Sequence, residues 1–160
     1  MIAPGDRIPE ATFHVMTAEG PSEVSSGDVF SGKKVVLFAV AGAYTPTWHL
    51  KHLPGFIQHS DDFKAKGVDT IACTAVNDPF VLDQWAKATG AEGKVMFLAD
   101  GNANFAKAIG ADLDASAVGL GTRSKRYAML VEDGVVKSVH VEDMPTEVTS
   151  SSAETLLQEV

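Results

Sequence analysis

A single cysteine, Cys73, stands among 160 residues, so no intrachain disulfide can form and a secreted, disulfide-stapled scaffold is excluded. Basic residues are also few. Thirteen Lys and Arg against 21 Asp and Glu leave a formal charge of -8, and general binding to nucleic acid or to an anionic membrane, which requires basic patches, is not expected. No apolar run approaches the roughly 18 residues of a membrane span. The start, Met1-Ile-Ala-Pro-Gly-Asp-Arg7, has neither an apolar signal region nor transit-peptide character. Internal repeats, low-complexity stretches and linker-like segments are not visible. With 45% hydrophobic residues, the composition suits a packed core rather than a disordered chain. These features lead us to expect one soluble, cytoplasmic domain over residues 1–160.

The apolar patterning is that of a layered α/β protein. Lys34 to Val40 is continuously apolar after its first residue, as in a strand buried on both faces. Ala41-Gly42-Ala43 allows a tight turn, and Pro46 suits the first turn of a helix. Pro54-Gly55 punctuates before a helical stretch from Phe56 to Lys66, which Gly67 ends. The pattern repeats with a strand over Val68–Val76 and a cap-and-proline start at Asn77-Asp78-Pro79. The helix that follows carries Phe80, Leu82, Trp85 and Ala86 on one broad face and stops at Gly90. Lys94–Ala99 reads as a third strand, and Asp100 or Asn102 as the cap of a short helix before Gly110. Arg126–Val131 and Val135–Val141 flank Glu132-Asp133-Gly134 as a hairpin. Ser151 or Ser152 caps a final helix with Leu156 and Leu157 inward. The order βαβ…ββα predicts a thioredoxin-like fold, with a mixed central sheet flanked by helices. Residues 1–32 form an N-terminal extension of turns and short strands.

The stretch Val40-Ala-Gly-Ala-Tyr-Thr-Pro-Thr-Trp-His49, followed by His52-Leu-Pro-Gly-Phe56, joins a strand end to a helix start. That edge of an α/β sheet is where ligands usually bind. These residues resemble the active-site signature of the type II peroxiredoxins, Val-Pro-Gly-Ala-Phe-Thr-Pro-Thr-Cys-Ser and then His-Leu-Pro-Gly-Phe. This glutaredoxin- or thioredoxin-linked subgroup belongs to the AhpC/TSA-redoxin superfamily. Gly32-Lys-Lys-Val-Val36, Val76-Asn-Asp-Pro-Phe80, Phe97-Leu-Ala-Asp100 and Gly121-Thr-Arg-Ser-Lys-Arg126 extend the resemblance over nearly the whole chain. It implies a thiol peroxidase in which a cysteine thiolate attacks a hydroperoxide and becomes a sulfenic acid. It also implies a homodimer built around the site, with Tyr44, Pro46 and Phe80 as candidate interface residues. No cofactor and no metal is implied.

By the same resemblance, Thr45 matches the threonine that hydrogen-bonds the peroxide, and Arg126 matches the arginine that lowers the thiol pKa. Ala41 occupies the position of the active-site proline, and Trp48 that of the nucleophilic cysteine. An indole has no proton that ionises near neutral pH and cannot form a sulfenic acid, so the peroxidase site is expected to be inactive. The remaining role would be binding, regulation or dimer assembly, with Trp48 either plugging the pocket or offering a stacking surface. The competing expectation is an antioxidant hydroperoxide reductase whose native Cys or selenocysteine at position 48 is replaced here. The tryptophan codon is one base from both cysteine codons and from UGA. Such an enzyme would draw on glutathione, glutaredoxin or thioredoxin, because Thr149-Ser-Ser-Ser152 replaces the C-terminal resolving cysteine of some relatives.

Other candidates read more plainly. Cys73 lies mid-strand and is expected to be a small core residue. His49, His52 and His59 have a spacing that metal sites use, without acidic or thiol residues to complete a ligand set. Asp61-Asp62 and Glu142-Asp143 read as solvated acidic surface. Arg123 and Lys125 read as surface charges or at most partner contacts.

Overall fold

The computed structural model describes residues 1–45, 52–143 and 148–160. The strands are β1 (Thr12–Thr17), β2 (Gly20–Ser25), β3 (Lys34–Ala39), β4 (Thr70–Ala75), β5 (Met96–Ala99), β6 (Asp112–Asp114), β7 (Thr122–Ser124), β8 (Tyr127–Glu132) and β9 (Val135–Val141). The helices are α1 (Ser26–Phe30), α2 (Leu53–Gln58), α3 (Ser60–Ala65), α4 (Pro79–Thr89), α5 (Asn104–Ala108) and α6 (Ala153–Glu159). A seven-stranded sheet runs β2-β1-β5-β4-β3-β8-β9. Its centre, β5, β4 and β3, is parallel, and β8 and β9 continue it antiparallel. This mixed sheet is thioredoxin-like. The N-terminal extension joins it, because β1 pairs antiparallel with both β2 and β5.

Strand alternation puts successive side chains on opposite faces, and each face carries its own core. Val36, Phe38, Ile71, Cys73, Ala128 and Leu130 pack on the side of α2, α3, α4 and α6. Val35, Leu37, Ala72, Leu98, Tyr127, Met129 and Val131 pack on the other, with Phe13, Phe30 and Phe105. The continuous apolar runs of β3 and β8 follow from burial on both faces.

Local chemistry sets the element ends. Asp78 accepts from the Val81 N–H at 2.8 Å and Pro79 opens α4. Gly90 closes that helix in the left-handed conformation, φ 75°. Asp133 and Gly134, both at positive φ, turn the β8–β9 hairpin. Ser152 caps α6 by accepting from the Thr155 N–H.

Several expectations are corrected. The helical stretch around Phe56 starts earlier, at Leu53, because Pro54 lies in the first turn of α2, where no N–H is needed. It then breaks at His59, which has φ -96° and ψ 11°, so α2 and α3 are separate. Phe80 is 61% exposed: on a helix it lies about 200° from Leu82 and cannot share its face. The N-cap of α5 is Ala103, in the left-handed conformation, and neither Asp100 nor Asn102. Asp100 still serves the first turn from outside the helix: its two carboxylate oxygens accept from the N–H groups of Phe105 (3.0 Å) and Ala106 (2.9 Å). Helix α1, with a Ser25–Asp28 capping box, and the small β6–β7 sheet were not expected.

Candidate functional site

The site region lies where β3 and β4 end. Val40 and Ala41 remain buried, and the chain then turns through Gly42, Ala43, Tyr44 and Thr45. The Ala43 N–H donates to Asn77 Oδ1 at 2.9 Å, tying this turn to the segment after β4. The Thr45 hydroxyl donates to the Gly42 carbonyl at 2.6 Å. Tyr44 has a left-handed backbone, φ 64°, and its side chain is 53% exposed. Arg123, expected on the surface, instead lies against this turn. It donates to the carbonyls of Leu120 (2.9 Å) and Val76 (3.3 Å), and a Cβ at Gly42 would come within 2.9 Å of its Nη1.

Arg126 precedes β8 by one residue and continues the alternation of Ala128 and Leu130, so it points to the face that holds α2. It is fully buried, and its Nη1 donates to His52 Nδ1 at 2.5 Å. A guanidinium has no acceptor, so Nδ1 must carry the lone pair and the imidazole proton belongs on Nε2. That proton is donated to the Ser151 carbonyl at 2.9 Å. Burial, reinforced by the adjacent Arg126 charge, lowers the pKa of His52 to about 3, and the ring is neutral at physiological pH. Burial also brings Arg126 down to about 9, which leaves it a cation. The Phe38 and Phe56 rings, stacked 4.0 Å apart, wall the imidazole at centroid distances of 5.1 and 5.6 Å.

Glu142 is also corrected, from solvated surface to a nearly buried group, 7% exposed. Its carboxylate accepts from the N–H and hydroxyl of Thr149 (2.7 and 2.9 Å) and of Ser151 (2.8 and 2.8 Å). Burial alone would raise its pKa. The bonds from Ser151 and Thr149 outweigh that and hold it at about 2.

Cys73 is fully buried on β4. Burial pushes its thiol well above the ordinary value, the Arg126 charge opposing only in part. His52 and His59 do not converge. His59 faces outward and bonds Asp62 (3.0 Å) and Glu154 (3.3 Å). Among the described residues, no three His, Cys, Asp or Glu side chains gather as a metal ligand set.

The structure therefore places Ala41, Thr45 and the Arg123 guanidinium around the ends of β3 and β4. It places Arg126 with His52 beneath α2. Pro46, Trp48 and His49 lie outside the described residues. His52 and Glu142 were missed as partners of the site. Only their places within the signature and beside the hairpin could have pointed to them.

A thioredoxin-like sheet with a buried arginine bonded to His52, at the start of α2, fits a protein of the redoxin class. The Redoxin family model matches residues 3–157. The chain is 46% identical over 160 residues to peroxiredoxin-2E-2, chloroplastic, of Oryza sativa subsp. japonica, covering 97% of this chain and 71% of that protein. It is 42% identical to peroxiredoxin-2B of Arabidopsis thaliana, covering 98% and 97% of the two chains. The crystal structure of reduced Prx3 from Vibrio vulnificus in complex with H2O2 superposes with a TM-score of 0.94 at 48% identity, over 99% of each chain. The chain belongs to the peroxiredoxins, with type II-like relatives.

Proposed function

We propose that this chain is a single-domain, cytoplasmic peroxiredoxin-fold protein whose thiol peroxidase chemistry is silent at position 48. Its arginine site would be retained for binding, regulation or dimer assembly. The observation that carries this reading is the state of the sequence's only thiol. Cys73 is fully buried in a central strand and held protonated. A thiolate is the form that attacks peroxide, and position 48 supplies an indole instead. Thr45 and Arg126 then serve as polar contacts for a small anion such as a carboxylate or phosphate. Exposed Tyr44 and Phe80, with Pro46, supply the surface of a homodimer.

A second reading is favoured by the survival of the buried Arg126–His52 pair and by a relative solved with H2O2. In it, the native protein is a hydroperoxide reductase with Cys or selenocysteine at position 48, reduced by glutathione and glutaredoxin or by thioredoxin. The deciding experiment is hydrogen-peroxide consumption by this chain beside Trp48→Cys, each with glutathione and glutaredoxin. No turnover above background in the unmodified chain is expected, and turnover there overturns the proposal. Turnover in Trp48→Cys alone shows that one residue silences a poised site. The codon at position 48 of the source gene, UGG as against UGU, UGC or UGA, then separates the two readings.

A further inference from the structure

Contacts from Arg126 close into a ring that includes the C-terminal segment. Arg126 Nη1 donates to His52 Nδ1, and His52 Nε2 donates to the Ser151 carbonyl. Ser151 and its neighbour Thr149 donate four hydrogen bonds to the Glu142 carboxylate. The Glu142 N–H returns to the Arg126 carbonyl at 3.0 Å. Two residues of one short segment thus supply the bonds to a carboxylate that is only 7% exposed. An ionised carboxylate offers about four acceptor sites, and here they are spent on fixing residues 149–151.

We propose that Glu142 is a positioning residue for Arg126: by fastening Thr149 and Ser151 it fixes the Ser151 carbonyl, which orients the His52 imidazole and, through it, the guanidinium. The inference rests on the reading of Arg126 as the centre of the site. The physical case is directional. His52 must accept from Arg126 on one nitrogen, so its other nitrogen must donate, and the Ser151 carbonyl receives that proton. If residues 149–151 come loose, this acceptor moves, and the ring is free to rotate or change tautomer. Arg126 then loses a fixed partner without any change in its own sequence neighbours. Charge-assisted bonds to a carboxylate are among the stronger ones available for holding such a segment.

The test is the imidazole nitrogen spectrum of His52 by NMR in the full chain and in Glu142→Ala. The parent shows a single neutral, Nε2-protonated ring between pH 5 and pH 8. Glu142→Ala shows a second tautomer or a His52 titration that has moved up into this range. Glu142→Gln, which keeps one acceptor oxygen, lies between them. Thr149→Val and Ser151→Ala each remove one donor, leave the carboxylate in place, and give the same change at smaller size if Glu142→Ala does not fold. In the Trp48→Cys background, Glu142→Ala lowers kcat/KM for peroxide on the order of tenfold, as a small misplacement of a positioned group does. A His52 spectrum that is the same in the parent, Glu142→Ala and the donor variants overturns the proposal. That result is distinct from an inactive Trp48→Cys, which bears on the site reading and leaves the NMR comparison decisive.

Discussion

His52→Gln isolates the cost of charging one buried ring. Gln presents a carbonyl oxygen as an acceptor for Arg126 and an amide as a donor for the Ser151 carbonyl, the two roles that His52 plays, while the titration is removed. His52 is 1% exposed, and its pKa falls from 6.5 to about 3 on folding. The unfolded chain therefore binds the proton more readily than the folded one. The neutral ring's contribution is present above pH 6.5 and is lost as pH falls towards 3. At 1.36 kcal/mol for each unit, the shift amounts to roughly 5 kcal/mol as a ceiling. Urea denaturation followed by circular dichroism at pH 7, 6, 5 and 4 measures it. At pH 7 the parent and His52→Gln should lie within about 1 kcal/mol of each other. Below pH 6 the parent should lose about 1 kcal/mol more than the variant for each unit of pH. Parallel stability curves for the two proteins would refute the assignment of a buried neutral imidazole.

Cys73 should resist a small thiol reagent in the native protein at pH 8 and react at the rate of unfolding, because its thiol is buried and held protonated; rapid labelling of folded protein would count against this. If the proposed homodimer forms through this face, Phe80→Glu should lower its association constant on the order of tenfold or more by sedimentation. Its Tm should stay nearly unchanged, since Phe80 is 61% exposed, and a large drop in Tm would mean that the ring packs within its own protomer. In acid, Glu142→Gln should narrow its stability gap to the parent as pH falls from 4.5 towards 2, the range in which the parent's carboxylate takes up its proton. Urea midpoints across that range measure the gap, and a constant gap would show that its charge is not held by the Thr149 and Ser151 bonds.

Much of this architecture is legible in neighbouring residues. The apolar runs of β3 and β4, the Asp78-Pro79 cap, the Gly90 stop and the Asp133-Gly134 turn each act over a few residues, where period and backbone preference decide the outcome. Arg126 was found by its place in a signature. Its direction follows from strand alternation with Ala128 and Leu130. Phe80 was misread because four apolar residues close together invite a single face, whereas helical geometry divides them.

Sequence alone determined the α/β class and the family resemblance, and it predicted a core position for Cys73. All are properties of residue identity or short-range pattern. Tertiary structure decided who holds the arginine. His52 and Arg126 are 74 residues apart, and His52 and Ser151 are 99, so no local periodicity couples them. They meet because β8 lies beside β3, which brings Arg126 beneath α2. Glu142 likewise reads as one acidic residue after a strand until Thr149 and Ser151 fold back onto it. Burial turns a charge that looks solvated into a clamp, and burial is fixed only when distant segments pack.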